Sequence, residues 1–303
     1  MSLVVMNKPI LATIQDIGRF SYAHIGVSTS GVMDEYAYMY ANKILNNKYG
    51  TNSIEISFSN VMFQVTDSTQ LVVTGAKCEF FINDILKNNW QSYNVKNGDI
   101  IKIGKILTGS KVYLAVKNGF SIQKEFGSYS TTIKENIGGL DGDKLKINDV
   151  LPFCTYEETL TQRLQEKFIP NYSDQLTLRV ILSSQETNFS KQEKEKFFST
   201  SYTVTNDFNR MGCKLNGEKI SCDINGIISE GISFGAIQIP NDGQPIVLLK
   251  ERQTIGGYPK IGSVLNIDCF KLSQMRPKSI INFEEIDIKS AQQVSKKFYS
   301  NFF

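Results

Sequence analysis

The hydrophobic positions of much of the chain fall in short β-branched or aromatic runs, separated by polar turn formers. In FQVTDSTQLVVTGAKCEFFINDILKNNW, β-branched and aromatic residues are separated by Thr66-Asp67-Ser68 and Asn83-Asp84, side chains that bond their own backbone or tolerate positive φ. The rhythm continues through NVKNGDIIKIG and GSKVYLAVKNGF, with Asn97-Gly98 and Asn118-Gly119 at the turns. This pattern predicts hairpins in a twisted antiparallel sheet or barrel. Helical spacing is rarer. Asp34 is placed to cap EYAYMYANKIL, where Ala37, Tyr40, Ala41 and Ile44 share one face. Thr155 with Glu158, and Ser190 with Glu193, form capping-box patterns before Leu160 and Leu164 and before Phe197 and Phe198. DIKSAQQVSKKFYSNFF reads as a packed terminal helix with a basic, aromatic end.

The strand pattern stops in the polar stretch from Cys154 to Asp174 and restarts at LTLRVIL. The expected organisation is an N-terminal β domain over 1–154, a helical linker over 155–175 and a C-terminal β domain over 176–303, with a few short helices covering barrel openings or edges. No exact internal repeat relates the halves. A chain of 303 residues with 41% hydrophobic and 21% charged side chains has enough interior for two such cores.

Charge narrows the partners. With 33 basic against 30 acidic residues, net +3, the chain has no strong field to attract a phosphate backbone or an anionic membrane, so neither nucleic acid nor membrane is expected as a partner. Cys78, Cys154, Cys213, Cys222 and Cys269 are odd in number and form no C-x-x-C pair, which reads as free thiols in a reducing compartment. The opening MSLVVMNKPILATIQD is interrupted by Lys8 and Pro9 and matches neither a signal peptide nor a span, so a cytoplasmic location is expected. His24 is the sole histidine, which sets aside most zinc chemistry, and no G-x-S-x-G elbow supplies a serine to pair with it. IGGLDGDKL is glycine-rich without the spacing of a phosphate-binding loop, and no G-x-G-x-x-G opens a helix. A nucleotide site wholly within this chain is not predicted, and no metal site is.

Three segments carry candidate chemistry. IQDIGRFSYAHIGVSTSGVMDEYA sets Arg19 and Asp34 among Gly18, Gly26 and Gly31. Arg19 has the geometry to pair with a carboxylate, and Asp34 either accepts a substrate proton or caps the helix, with capping favoured. The stretch from Ser229 to Val264 is the most informative. Gln238, Gln244 and Gln253 offer amides that both donate and accept, which suits a urea, a lactam or a ureido ring. Glu230, Lys250, Glu251, Arg252 and Lys260 supply charge to orient a carboxylate or phosphate, or to stabilise developing negative charge. Gly256-Gly257-Tyr258-Pro259 reads equally well as a plain tight turn. NRMGCKL, with Arg210 and Gly212, is compatible with any strand-edge turn.

Together, QDIGRFSYAHIGVSTSGVMD, YLAVKNGF, FGSYSTT, NRMGCKL and SEGISFGAIQIPNDGQPIVLLKERQTIGGYPKIG resemble the biotin-dependent carboxyltransferase-related family that contains the C subunit of 5-oxoprolinase, the subunit 2 proteins named after allophanate hydrolase, and part of the carboxyltransferase region of urea carboxylase. The resemblance implies a mainly β fold of two cyclophilin-like β-barrel domains. It also implies a direct complex with the B subunit of 5-oxoprolinase, a further partner in its A subunit, and ATP-dependent opening of a small-molecule substrate, 5-oxo-L-proline, to L-glutamate. ATP is then expected on the partner subunit or shared with it. The candidate binding and electrostatic groups for that work are Arg19, Asp34, Arg210, Gln238, Gln244, Arg252, Gln253, Tyr258 and Lys260; no catalytic residue is assigned. Where the family commonly has a Gly-Pro-Gln turn, this chain has Ser183-Ser184-Gln185. Tyr129 and Asp143 stand at frequent arginine positions, and Glu251 at a usual aspartate. No Met-Lys-Met occurs, so biotin is not expected to be attached to this chain. The alternatives are a carboxyltransferase component acting on urea or a similar amide, with carboxybiotin arriving on another chain, and a regulatory binding protein like the family's antagonist of a sporulation-kinase inhibitor.

Overall fold

A computed structural model of the protein describes residues 1–58, 60–157 and 160–302. They divide into two compact units, Met1–Phe20 with Ser30–Tyr172, and Ser21–Thr29 with Ser173–Phe303.

The strand-rich first half forms β1 (Ser2–Val5), β2 (Leu11–Gln15), β3 (Ser53–Ser57), β4 (Val61–Val65), β5 (Thr69–Ile82), β6 (Ile85–Lys87), β7 (Ser92–Val95), β8 (Ile100–Val116) and β9 (Val150–Pro152). They make one curled sheet in the order β2-β3-β8-β4-β1-β9, with β5 pairing β6, β7 and β8. Register shifts between Gly75 and Phe80 bend the long β5–β8 pair, as extra unpaired residues do. Gly75 sits at φ +85°, where a β-carbon would lie 2.3 Å from the Lys111 carbonyl oxygen, so the bend needs glycine. One face of the sheet buries Leu3, Ile14, Ile54, Phe63, Leu71, Val73, Phe80 and Leu114 in the main core. The other face presents Val72 and Ala115 to Ala41, Ile44 and Leu45, contributed by α1 (Glu35–Ile44) and the residue that ends it.

The helical linker expected over 155–175 is corrected. Among its described residues the only helical turn is a 3-10 turn at Glu166–Phe168. The chain runs beside an edge strand, where Ser92 N–H donates to Gln162 O, Leu164 N–H to Trp90 O, and Tyr156 N–H to Ser68 O. Backbone groups bonded across strands are not available for an i→i−4 ladder, and Pro170 removes a further donor. Thr155 donates to Asp67 Oδ2 at 3.0 Å; Glu158, its partner in the capping box, lies outside the described residues. The described residues of this stretch up to Tyr172 belong to the first unit.

The second unit contains β10 (Gln175–Leu182), β11 (Tyr202–Phe208), β12 (Gly212–Asn216), β13 (Glu230–Gly231), β14 (Ala236–Gln238), β15 (Ile246–Leu248), β16 (Ile255–Gly256), β17 (Lys260–Val264) and β18 (Ile280–Glu285). Seven of these close a barrel in the order β10-β17-β14-β15-β12-β11-β18, while β13 and β16 form a separate two-stranded sheet. The mainly β reading therefore holds, with the barrel closed in the second unit and the sheet of the first curled without closing. Ser190 caps α2 (Lys191–Ser199) by accepting from Glu193 N–H, and Phe197 stacks on Phe283 at 4.4 Å. Arg179 on β10 grips Asp268 on α3 (Asn266–Leu272) with two hydrogen bonds of 2.8 and 2.6 Å. Asp287 caps α4 (Ile288–Tyr299). All five cysteines are free thiols, and no helix among the described residues is long and apolar enough to cross a membrane.

Candidate functional site

The β14–β17 ladder pairs Ala236 with Ser263 and Ile237 with Gly262, then skips a residue so that Gln238 faces Lys260. Residues directly opposite on paired strands project from the same face, so the shift brings an amide and an ammonium together at the end of the ladder. Both residues are buried, at 2% and 7% exposure. Burying such groups is costly unless they find partners.

The partners come from two distant turns. Gln185 follows β10, where Ser183 N–H bonds Ile261 O and the Ser183 hydroxyl donates to Lys260 O. From there Gln185 Oε1 accepts from Lys260 N–H at 2.9 Å, and its Nε2 donates to Glu230 Oε1 at 2.6 Å. The same Glu230 oxygen lies 2.6 Å from Lys260 Nζ. That contact falls outside the angles of a directed hydrogen bond, and Lys260 Nζ has no hydrogen-bond partner among the described residues. Glu230 is carried by β13, opposite Gly256 on β16. A β-carbon on Gly256 would lie 2.5 Å from Ile232 Cδ1 and 2.9 Å from Gln238 Nε2, so glycine lets this small sheet pass close to the amide. Gln238 Nε2 is itself buried and has no hydrogen-bond partner among the described residues. The exposed Gln253 amide lies near the same glycine, 3.5 Å from where that β-carbon would sit.

This arrangement of an ammonium, amides and one carboxylate can bind a small molecule that offers both carbonyl-type oxygens and N–H groups, and can stabilise negative charge growing on an oxygen. Gln238 and Lys260 of the predicted set are thus brought together, with Gln253 beside them. Gln185 and Glu230 belong to the same cluster and were not among the predicted binding residues. Gln185 carried a signal, since it is the glutamine of the turn where the family has Gly-Pro-Gln. Glu230 was legible only as one of several charges in its segment.

Other predicted residues have structural engagements. Gln244 takes both backbone groups of Gly217, accepting at 2.8 Å and donating at 3.1 Å. Arg252 donates to Ile232 O and Leu249 O at 2.9 and 3.2 Å, lies over the Phe234 ring, and has its pKa lowered by burial. Arg210 pairs with Glu251, both side chains mostly buried. Tyr258 is exposed. Arg19 and Asp34 belong to the first unit. Arg19 is buried and donates to Thr132 Oγ1 at 2.8 Å and to Ser130 O. Asp34 caps α1 through Ala37 N–H at 3.1 Å and accepts from Tyr172 Oη at 2.6 Å.

A groove of about 740 Å³ lies in the first unit, lined in part by Cys78, Glu79, Lys87, Trp90 and Arg163. It does not include the Gln185–Glu230–Gln238–Lys260 cluster. Burial pushes the Cys78 thiol up to about 11, so it is a protonated, poor nucleophile at neutral pH. His24 is exposed on a 3-10 turn. Among the described residues, no three His, Cys, Asp or Glu side chains are gathered to hold a metal ion.

Residues 25–285 match the family model described as carboxyltransferase domain, subdomain A and B. The 5-oxoprolinase C subunit of Haemophilus influenzae is 31% identical over 294 residues, covering 97% of this chain and 94% of that protein. The Escherichia coli protein of that name is 28% identical, covering 95% and 93%. Urea amidolyase of Saccharomyces cerevisiae is 30% identical over 94% of this chain, which spans only 16% of that enzyme. The crystal structure of K. lactis urea amidolyase superposes with a TM-score of 0.92 at 25% identity, covering all of this chain and 20% of the larger one.

Proposed function

The chain belongs to the carboxyltransferase domain family, subdomain A and B, and on that premise we propose that it is the C subunit of a cytoplasmic, ATP-dependent 5-oxoprolinase. In this reading it opens 5-oxo-L-proline to L-glutamate together with the A and B subunits of that enzyme. The near end-to-end match with two proteins named as 5-oxoprolinase C subunits supports the choice within the family. The observation that carries it is the buried pairing of Lys260 with Gln238, flanked by Gln185 and Glu230.

A lactam amide resists hydrolysis because its nitrogen lone pair is delocalised into the carbonyl, so the carbonyl carbon is a weak electrophile. ATP, held on the partner or shared with it, phosphorylates the lactam oxygen with release of ADP; the ring carbon so activated takes up water as its C–N bond breaks, and further water releases phosphate to leave glutamate. Lys260 and Gln238 bind the substrate through its carboxylate and so hold the lactam in place for the phosphoryl transfer. Gln185 fixes Lys260 through the backbone and orients the Glu230 carboxylate.

A second reading has its own support. The match to urea amidolyase extends over nearly the whole chain, and the same amides suit urea or the ureido ring of a carboxybiotin presented by another chain. The deciding experiment measures 5-oxo-L-proline-dependent ATP hydrolysis and glutamate formation by this chain alone, and then with candidate A and B subunits. Glutamate formed only by the full combination is the expected result. A complex that consumes neither ATP nor 5-oxo-L-proline would replace this reading with carboxyl transfer.

A further inference from the structure

We propose that Glu230 is an internal occupant of a carboxylate subsite formed by Lys260, Gln185 and Gln238, and that a ligand carboxylate displaces it on binding. The inference rests on the reading above in taking this cluster as substrate-facing, and it names Lys260 as the group that selects carboxylate-bearing amides over neutral ones, with Glu230 the anion such a ligand must displace.

Burial is lopsided across the contact. The Lys260 side chain is 9% exposed and that of Glu230 is 51% exposed. A cation so placed is anchored in the barrel wall and demands an anion, because leaving a buried charge unpaired is costly. The carboxylate, half in water, gives up little by leaving. Glu230 also serves the pocket incompletely. One of its oxygens meets both Gln185 Nε2 and Lys260 Nζ, each at 2.6 Å, yet Lys260 Nζ keeps undirected donors and the buried Gln238 Nε2 has no acceptor among the described residues. Two buried donors left in this state beside an anion mark a site shaped for more acceptor oxygen than Glu230 delivers.

The element that carries Glu230 is suited to withdraw. β13 is two residues long, both exposed, and its registered partners are Gly256 and Ile255 of β16, outside the barrel ladder. So few cross-strand bonds place it among the least stable parts of a fold. A ligand carboxylate entering the subsite takes the ion pair from Glu230 and adds the Gln238 bond. Neutral urea has no charge with which to replace Glu230 and binds only beside it.

The test uses the full chain without ATP or partner proteins. Calorimetric titrations with acetate, 5-oxo-L-proline and uncharged 5-oxo-L-prolinamide are compared for the unmodified protein, Glu230→Ala and Glu230→Gln. Removing the internal carboxylate is expected to tighten acetate and 5-oxo-L-proline by about tenfold, the effect of deleting a half-exposed competitor, and to leave the prolinamide unchanged. Lys260→Met is expected to abolish acetate binding. Circular dichroism confirms folding, and Glu230→Gln, which keeps the side-chain shape, decides the matter if Glu230→Ala does not fold. Unchanged or weakened carboxylate binding in the Glu230 variants would overturn the proposal, as would an equal gain for the prolinamide. Tightened binding without glutamate formation by the assembled enzyme would keep the subsite and remove the 5-oxoprolinase reading; the opposite pair of results would do the reverse.

Discussion

Gly256 passes so close to Gln238 that a β-carbon on the glycine would lie 2.9 Å from the glutamine Nε2. The backbone of Gly256 is not in the left-handed region, so the substitution Gly256→Ala tests space and not backbone strain. A methyl group there presses on Ile232 and on the amide that lacks a partner. Stability is expected to fall by about 1 kcal/mol, while the KM for 5-oxo-L-proline in the assembled enzyme rises roughly tenfold, as follows from losing one hydrogen bond in a binding site. Steady-state kinetics and a urea melt check the two halves separately.

Alanine or methionine at Lys260 and alanine at Gln238 or Gln185 should act on substrate binding. For 5-oxo-L-proline, kcat/KM is expected to fall by about 10² for Lys260→Met and about tenfold for Gln238→Ala, the cost of removing a buried charged or neutral partner of the substrate carboxylate, with binding of the B subunit unchanged in a pull-down. Arg210→Ala and Arg252→Ala belong to another class. They remove a largely buried ion pair and two bonds to loop carbonyls, and should lower stability by about 1–3 kcal/mol. Activity per folded molecule separates the two groups, and full activity in the Lys260 and Gln238 variants would dismiss the cluster as the site.

Asp34 distinguishes capping from proton transfer. Asp34→Asn keeps an acceptor for Ala37 N–H and is expected to retain turnover, whereas Asp34→Ala loses the cap and the Tyr172 bond, at a cost of about 1–2 kcal/mol in urea denaturation. Loss of turnover in a stable Asp34→Asn protein would restore the proton-accepting role.

The thiols predict an alkaline limit. Burial raises Cys78 from its ordinary value of 9.0 to about 11, and burial raises Cys213 and Cys269 still further. A raised folded pKa keeps its stabilising contribution below the unfolded value and loses it as pH climbs toward the folded one. Thermal stability should therefore hold below pH 9 and fall between pH 9 and 11, with about 2–3 kcal/mol from Cys78 alone. At pH 7.5 a thiol reagent should modify exposed Cys154 first, and the three buried cysteines only after denaturation. Substituting Cys78 by alanine should flatten part of the alkaline decline.

Local chemistry was readable wherever the relevant partner is near in sequence. The caps at Asp34 and Ser190 form as their spacing requires, and the apolar runs at Leu71–Val73 in β5 and Val112–Val116 in β8 supply the sheet's two buried faces. The segment from Ser229 to Val264 supplies Gln238 and Lys260. Legibility failed where hydrogen-bonding capacity is decided by tertiary neighbours. Nothing in the spacing of Gln244 or Arg252 shows that their polar atoms are taken up by Gly217 or by loop carbonyls. Glu230 and Gln185 are 45 residues apart and meet only after the barrel closes. The polar, cap-like stretch after Cys154 gave no sign that its backbone would bond to an edge strand instead of to itself.

The skipped residue between β14 and β17 also separates two design problems that a regular ladder would join. In strict register, the direction of every side chain follows from that of its neighbours, so whatever the barrel interior requires would dictate what its end displays. One out-of-step position breaks that parity just before Gln238 and Lys260. The apolar filling of the barrel is thereby free to be exchanged residue for residue while the same polar pair stays on display.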